Sequence, residues 1–189
     1  MFTVSNLVEF VQEHVGFKNP VLVSDTPTLN NNFGAGMTAI AAVASKYTSC
    51  IEVGRTPSFQ EVEEFILAQA ERFTAETMME FNTRRINFSE DFMKLDVKDM
   101  VRIICHELVH VNQYAEGRMV DVCLTNTVTG EQSYYVLWTD TNGTKSVVQI
   151  NKSATFKQYM DYPWEKEAHV MEHVLLQRVA LSTANPILF

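Results

Sequence analysis

Residues 102–114 read RIICHELVHVNQY, placing His106 and His110 four positions apart with Glu107 directly after the first. In a helix, positions i and i+4 lie on one face, so two imidazoles at this spacing can aim at one point. Glu107 sits about 100° further round. The plainer alternative is an amphipathic helix with two surface histidines. The surrounding pattern predicts the helix either way. Val97, Val101, Ile104, Leu108 and Val111 form an apolar stripe, Asp96 and Asp99 a start signal, and Gly117 a stop. Cys105 falls off the histidine face and reads as core.

Outward from this helix the chain alternates helix and strand signals. Upstream, Ser58 and Glu61 form a capping box opening a helix to about Phe81, with Phe59, Val62, Ile66 and Phe73 inward. RRINFSE (84–90) then reads as a short strand and turn. Nearer the start, Leu7, Val8, Val11 and Val15 give a helix over Ser5–Val15, stopped by Gly16. PVLVS (20–24) and Tyr47–Val53 read as strands, and DTPTLNNNFGAG (25–36) as an exposed loop. Downstream, YYVLW (134–138) and KSVVQI (145–150) flank Asn142-Gly143, a hairpin signal. Around Trp138 this hairpin offers an edge strand to an extended peptide. A last helix runs from about Pro163 to Ala180.

Composition narrows the function. The 189 residues are 46% apolar and 20% charged, with a net charge of −8. That is the profile of one globular domain, and an acidic chain is a poor partner for nucleic acid. Three cysteines at wide spacing, Cys50, Cys105 and Cys123, suggest neither a zinc ribbon nor a disulfide framework. The start, MFTVSNLVEFVQEHVGF, lacks a basic leader, and no stretch is apolar enough to span a membrane. The expected location is the cytoplasm, or a particle assembled there.

Two neutral imidazoles suit zinc, and a catalytic zinc needs three protein ligands and one open position. Residues 161–173, DYPWEKEAHVMEH, supply the candidates. Val170, Met171, Val174 and Arg178 follow Glu167 at helical spacings, which assigns Glu167 to the inward face. A carboxylate there is costly unless it meets a metal or a cation such as Arg178 or Arg102. Glu167 is thus the first choice as third ligand, Glu165 the alternative and His169 a weaker one. In this phase Glu165, His169, Glu172 and His173 fall toward solvent.

HELVH followed, after a hairpin, by a helix opening YPWEKEA resembles the gluzincin zinc peptidases. It is most similar to compact members such as SprT-like proteins and the uncharacterised metallopeptidases of bacteriophage genomes. The lead-in INFSEDFMKLDVKDMVRIICHELVHV matches their strand, turn and active-site helix, so the resemblance covers about residues 85–178. It departs from the longer metzincin pattern, because no glycine and third histidine follow His110 at that spacing. The resemblance implies an α+β zincin-like fold with one zinc on His106, His110 and Glu167, and Glu107 as general base. Peptide hydrolysis would follow, with zinc acidifying its water and Glu107 taking the proton. Tyr159, Tyr162 and His169 are near enough in sequence to serve as oxyanion or substrate contacts. The expected organisation is a single domain over 1–189, with helices and strands in 1–81 and the catalytic core in 82–189. The expected partners are a peptide or protein substrate and phage or virion assembly proteins, with no nucleic acid and no membrane. The second expectation, from another class, is a structural or assembly protein of a phage particle that keeps the fold without peptidase activity.

Overall fold

The computed structural model describes residues 3–19, 21–23, 41–43, 48–51, 55–80, 85–151 and 153–183. In chain order the elements are α1 (Val4–Val15), β1 (Leu22–Val23), β2 (Ala41–Val43), β3 (Thr48–Ile51), α2 (Phe59–Ala68), α3 (Ala70–Glu80), β4 (Arg85–Phe88), α4 (Val97–Ala115), β5 (Met119–Asn126), β6 (Gln132–Thr139), β7 (Lys145–Gln149), α5 (Phe156–Met160) and α6 (Pro163–Thr183). A 3-10 turn, Phe92–Lys94, links β4 to α4. Helices and two small sheets are mixed, as an α+β chain requires. The elements form two compact units, each assembled from separate stretches of the sequence. One comprises Met1–Ala44, Asn82–Asn112 and Ser153–Phe189, the other Ser45–Phe81 and Gln113–Lys152.

The first unit holds both histidines. Its sheet has the order β1-β4-β2, with β1 parallel and β2 antiparallel to β4. The expected strand at residues 20–24 is thus present, in shorter form. α1 buries Leu7, Val8, Val11 and Val15. It ends at Gly16, whose positive φ of 71° lets the Gly16 and Phe17 amides close on the carbonyls of Glu13 and Gln12. α6 packs against α1, and the Arg178 guanidinium donates to the Val15 carbonyl at 3.1 Å. In α4 the Asp96 carboxylate accepts from the Asp99 amide at 2.8 Å, so the expected cap forms. Val101, Ile104, Cys105, Leu108 and Val111 are buried, whereas Val97, expected in the same stripe, is exposed on the first turn.

In the second unit, α2 and α3 lie on a four-stranded sheet of order β3-β5-β6-β7. β3 runs parallel to β5, and the rest is antiparallel. Val62, Ile66, Ala70 and Phe73 on the helices meet Val120, Val122, Leu124, Tyr135, Leu137 and Val147 on the strands. The strand residues recur with the period of two that puts alternate side chains on one face. Two expectations change here. The helix from Ser58 breaks at Gln69 into α2 and α3, and residues 119–126, given no element above, form a long strand. The hairpin forms as expected, but β6 with Trp138 lies inside the sheet, and among the described residues β7 is the hairpin strand at an edge. The Ser58 capping box forms, and Arg55 pairs with Glu61 at 2.6 Å. That pairing, with the Ser58 bonds, holds the Glu61 carboxyl down at about 2. The expected loop over 25–36 lies outside the described residues.

Candidate metal centre

α4 and α6 supply the site, each with polar residues four apart on one face. On α4 these are His106 and His110; on α6 they are Glu165 and His169. Glu165 sits in the first turn of α6, after Pro163 and the buried Trp164. A helix N-terminus favours a carboxylate there, and the Tyr159 hydroxyl, from α5, donates to it. Only 2% of Glu165 is exposed. A carboxylate so buried needs strong partners, and it has them. Its Oε2 lies 3.2 Å from Nε2 of His106, and its Oε1 lies 3.4 Å from Nε2 of His110. The two Nε2 atoms are themselves 3.1 Å apart.

Three donor groups thus converge, with Glu165 meeting each imidazole through a different carboxylate oxygen. A metal about 2.0–2.1 Å from each donor in tetrahedral geometry would set the donors roughly 3.3 Å apart. The separations of 3.1, 3.2 and 3.4 Å bracket that value. Two imidazoles and one carboxylate are also the donor types of a catalytic zinc site. A second set shares two of these residues: donor atoms of His106, Glu165 and His169 all lie within 4.8 Å of one another and could hold a metal ion.

Behind His106 stands Glu172, itself 2% exposed. Its Oε2 accepts from Nδ1 of His106 at 2.9 Å. Its Oε1 faces Arg102 and His169 at 3.4 Å each, and His173 at 3.8 Å. A carboxylate on Nδ1 selects the tautomer whose Nε2 is free to ligate.

The charges reinforce one another. Burial opposes protonation of His106, but the Glu165 and Glu172 bonds and the Glu107 charge outweigh it and raise its pKa to about 10. His110 is raised as well: burial acts against its charged form, and Glu165 and Glu107 prevail. Burial pushes Glu165 and Glu172 up, yet their histidine partners hold both below the usual carboxylate range. Without a metal, the pair of imidazoles therefore retains a proton at neutral pH. Burial, with the Glu172 charge, pushes the neighbouring Cys105 thiol up to about 12, so it stays a neutral core group.

The inward face expected for Glu167 is corrected. Val170, Met171 and Val174, the residues that assigned it, are 66%, 36% and 44% exposed. The buried face of α6 is instead Trp164, Glu165, Ala168, Glu172, Leu175, Leu176 and Val179. Positions two apart on a helix are roughly 200° apart, so turning Glu165 toward the histidines turns Glu167 the other way. Arg102, a cation expected to meet a buried carboxylate of this helix, pairs with Glu172 and Asp99.

Glu107 is buried at 6% exposure on the turn between the two histidines. Tyr162 stacks on Trp164, with ring centroids 4.7 Å apart. Sequence reasoning missed Glu172. The signal was its seven-residue spacing from Glu165, two helical turns along one face, with Ala168 between and Leu175, Leu176 and Val179 beyond. Among the described residues, no helix is long and apolar enough to cross a membrane. No protein-family model, curated protein or solved structure matches the chain. The gluzincin resemblance therefore rests on the motif residues of the sequence alone.

Proposed function

We propose that this chain is a zinc-dependent peptidase in which His106, His110 and Glu165 hold the metal and Glu107 is the general base. The convergence of three donor groups at mutual separations of 3.1 to 3.4 Å carries this reading. When bound, zinc acidifies water and polarises a carbonyl. Glu107 takes the proton as water oxygen attacks the peptide carbon, then returns it to the departing amine as the C–N bond breaks. Glu172 orients His106, and the Tyr159 hydroxyl orients Glu165. With its hydroxyl engaged there, Tyr159 serves the ligand more readily than an oxyanion.

Hydrolysis of an unfolded protein by the zinc-loaded chain tests the proposal. Activity should vanish on chelation and return with zinc. Full activity in the chelated protein would refute it. The second reading is a structural or assembly protein of a phage particle in which the metal serves folding. The nearness of His169 to the donor set favours it, since four protein ligands define a structural site.

A further inference from the structure

His169 lies four residues after Glu165, so α6 matches the two donors of α4 with two of its own. Its ring centroid is 4.7 Å from that of His106. What holds it in place is weak. Its Nδ1 is 3.4 Å from Oε1 of Glu172, long for a hydrogen bond. Its Nε2 is 3.0 Å from the Met160 sulfur, a poor acceptor. Glu172 gives its shorter contact, 2.9 Å, to His106. The His169 side chain is 32% exposed, against 13% for His106 and 8% for His110. Of the three imidazoles it is the one with solvent to move into.

We propose that His169 is a displaceable fourth ligand. With His106, His110 and Glu165 it closes the coordination shell of the resting protein, and it yields its place to an incoming oxygen ligand. The proposal rests on the zinc site above. Bringing donors that lie within 4.8 Å to a tetrahedral edge of about 3.3 Å asks for a shift on the order of 1.5 Å. Closed four-ligand sites are structural and open ones catalytic. A loosely held fourth histidine lets one site be both: silent at rest, and open when a substrate carbonyl or water competes. The loss of apparent affinity for such a competitor equals the fraction of time the site stands open.

Two measurements on the full chain test this. In the zinc-loaded, ¹⁵N-histidine-labelled protein, three of the five histidines should carry the nitrogen shift of a metal-bound imidazole, falling to two in His169→Ala. In the cobalt-substituted protein, acetohydroxamate should alter the visible spectrum of both forms, at roughly tenfold lower concentration in His169→Ala. Two metal-bound imidazoles in wild type holding one zinc would overturn the proposal, and this stands even if His169→Ala does not fold. Identical hydroxamate titrations, or a wild-type spectrum that never responds, would overturn it too. A wild type that binds no zinc at all fails at the earlier step, the zinc site itself, and metal analysis separates that case before any spectrum is taken.

Discussion

Nδ1 of His106 lies 2.9 Å from Oε2 of Glu172, which commits that nitrogen to donating and turns Nε2 toward His110 and Glu165. One buried carboxylate on α6 thus sets the tautomer of a ligand sixty-six positions earlier in the chain, and its other oxygen meets Arg102, seventy positions earlier. Removing a carboxylate in this position weakens metal binding by about 10–100-fold. Glu172→Ala should show a loss of that size in chelator competition. Glu172→Gln, which keeps an acceptor oxygen, should lose less. Equal zinc affinity in all three proteins would remove Glu172 from the site.

Glu107→Gln should separate binding from chemistry. The substitution keeps shape and leaves the donors His106, His110 and Glu165 in place. Zinc stoichiometry should not change, while hydrolysis falls by about 10²–10⁴-fold, the usual contribution of a general base. A Glu107→Gln protein as active as wild type would assign the proton transfer elsewhere.

The pH behaviour follows from His106. Its folded pKa of about 10 lies above the ordinary 6.5. A raised pKa contributes stability that is complete below 6.5 and is lost as pH climbs through 10. Glu165 and Glu172 act in the opposite sense: their depressed values stabilise above 4.5 and lose that contribution as pH falls. The metal-free chain should therefore melt several degrees lower at pH 10 than at pH 6.5. Zinc binding at pH 7 should release about one proton, measurable by calorimetry in buffers of different ionisation enthalpy. A proton-neutral binding isotherm would contradict the protonated pair.

Phe73 is fully buried between α3 and the strands of the second unit. Phe73→Ala should cost about 3–5 kcal/mol in denaturant unfolding, the range for emptying an aromatic core position. A cost below 1 kcal/mol would show that this helix is not packed as described.

The elements with a single strong pattern were legible in the sequence. α4 has one apolar stripe and clear end signals, and α1, β4, β6 and β7 follow from periodicity and turn residues alone. The site was half legible for the same reason: His106, Glu107 and His110 share one well-patterned helix. α6 is different. Val170, Met171 and Val174 lie on one side, and Leu175, Leu176 and Val179 on the other. Apolar content on both faces leaves the phase undetermined, and the choice made from Val170 and Val174 turned Glu167 inward. What decides it is tertiary: the burial of Trp164 and Ala168, and the imidazoles waiting for Glu165. β5 was missed because its run, MVDVCLTN, follows a helix stop directly and carries Asp121 and Asn126, residues that disfavour strands. The Tyr114 hydroxyl bonded to Asp121, and Asn126 bonded to the Arg55 carbonyl, absorb those polar groups.

Zinc content is the most direct test. Wild type, Glu165→Ala and Glu167→Ala should be purified without chelator, given excess zinc, desalted and analysed for metal. About one zinc per chain is expected in wild type and in Glu167→Ala, and a fraction of that in Glu165→Ala. A wild type without stoichiometric zinc, or one that keeps its zinc in Glu165→Ala and loses it in Glu167→Ala, would contradict the site built from His106, His110 and Glu165.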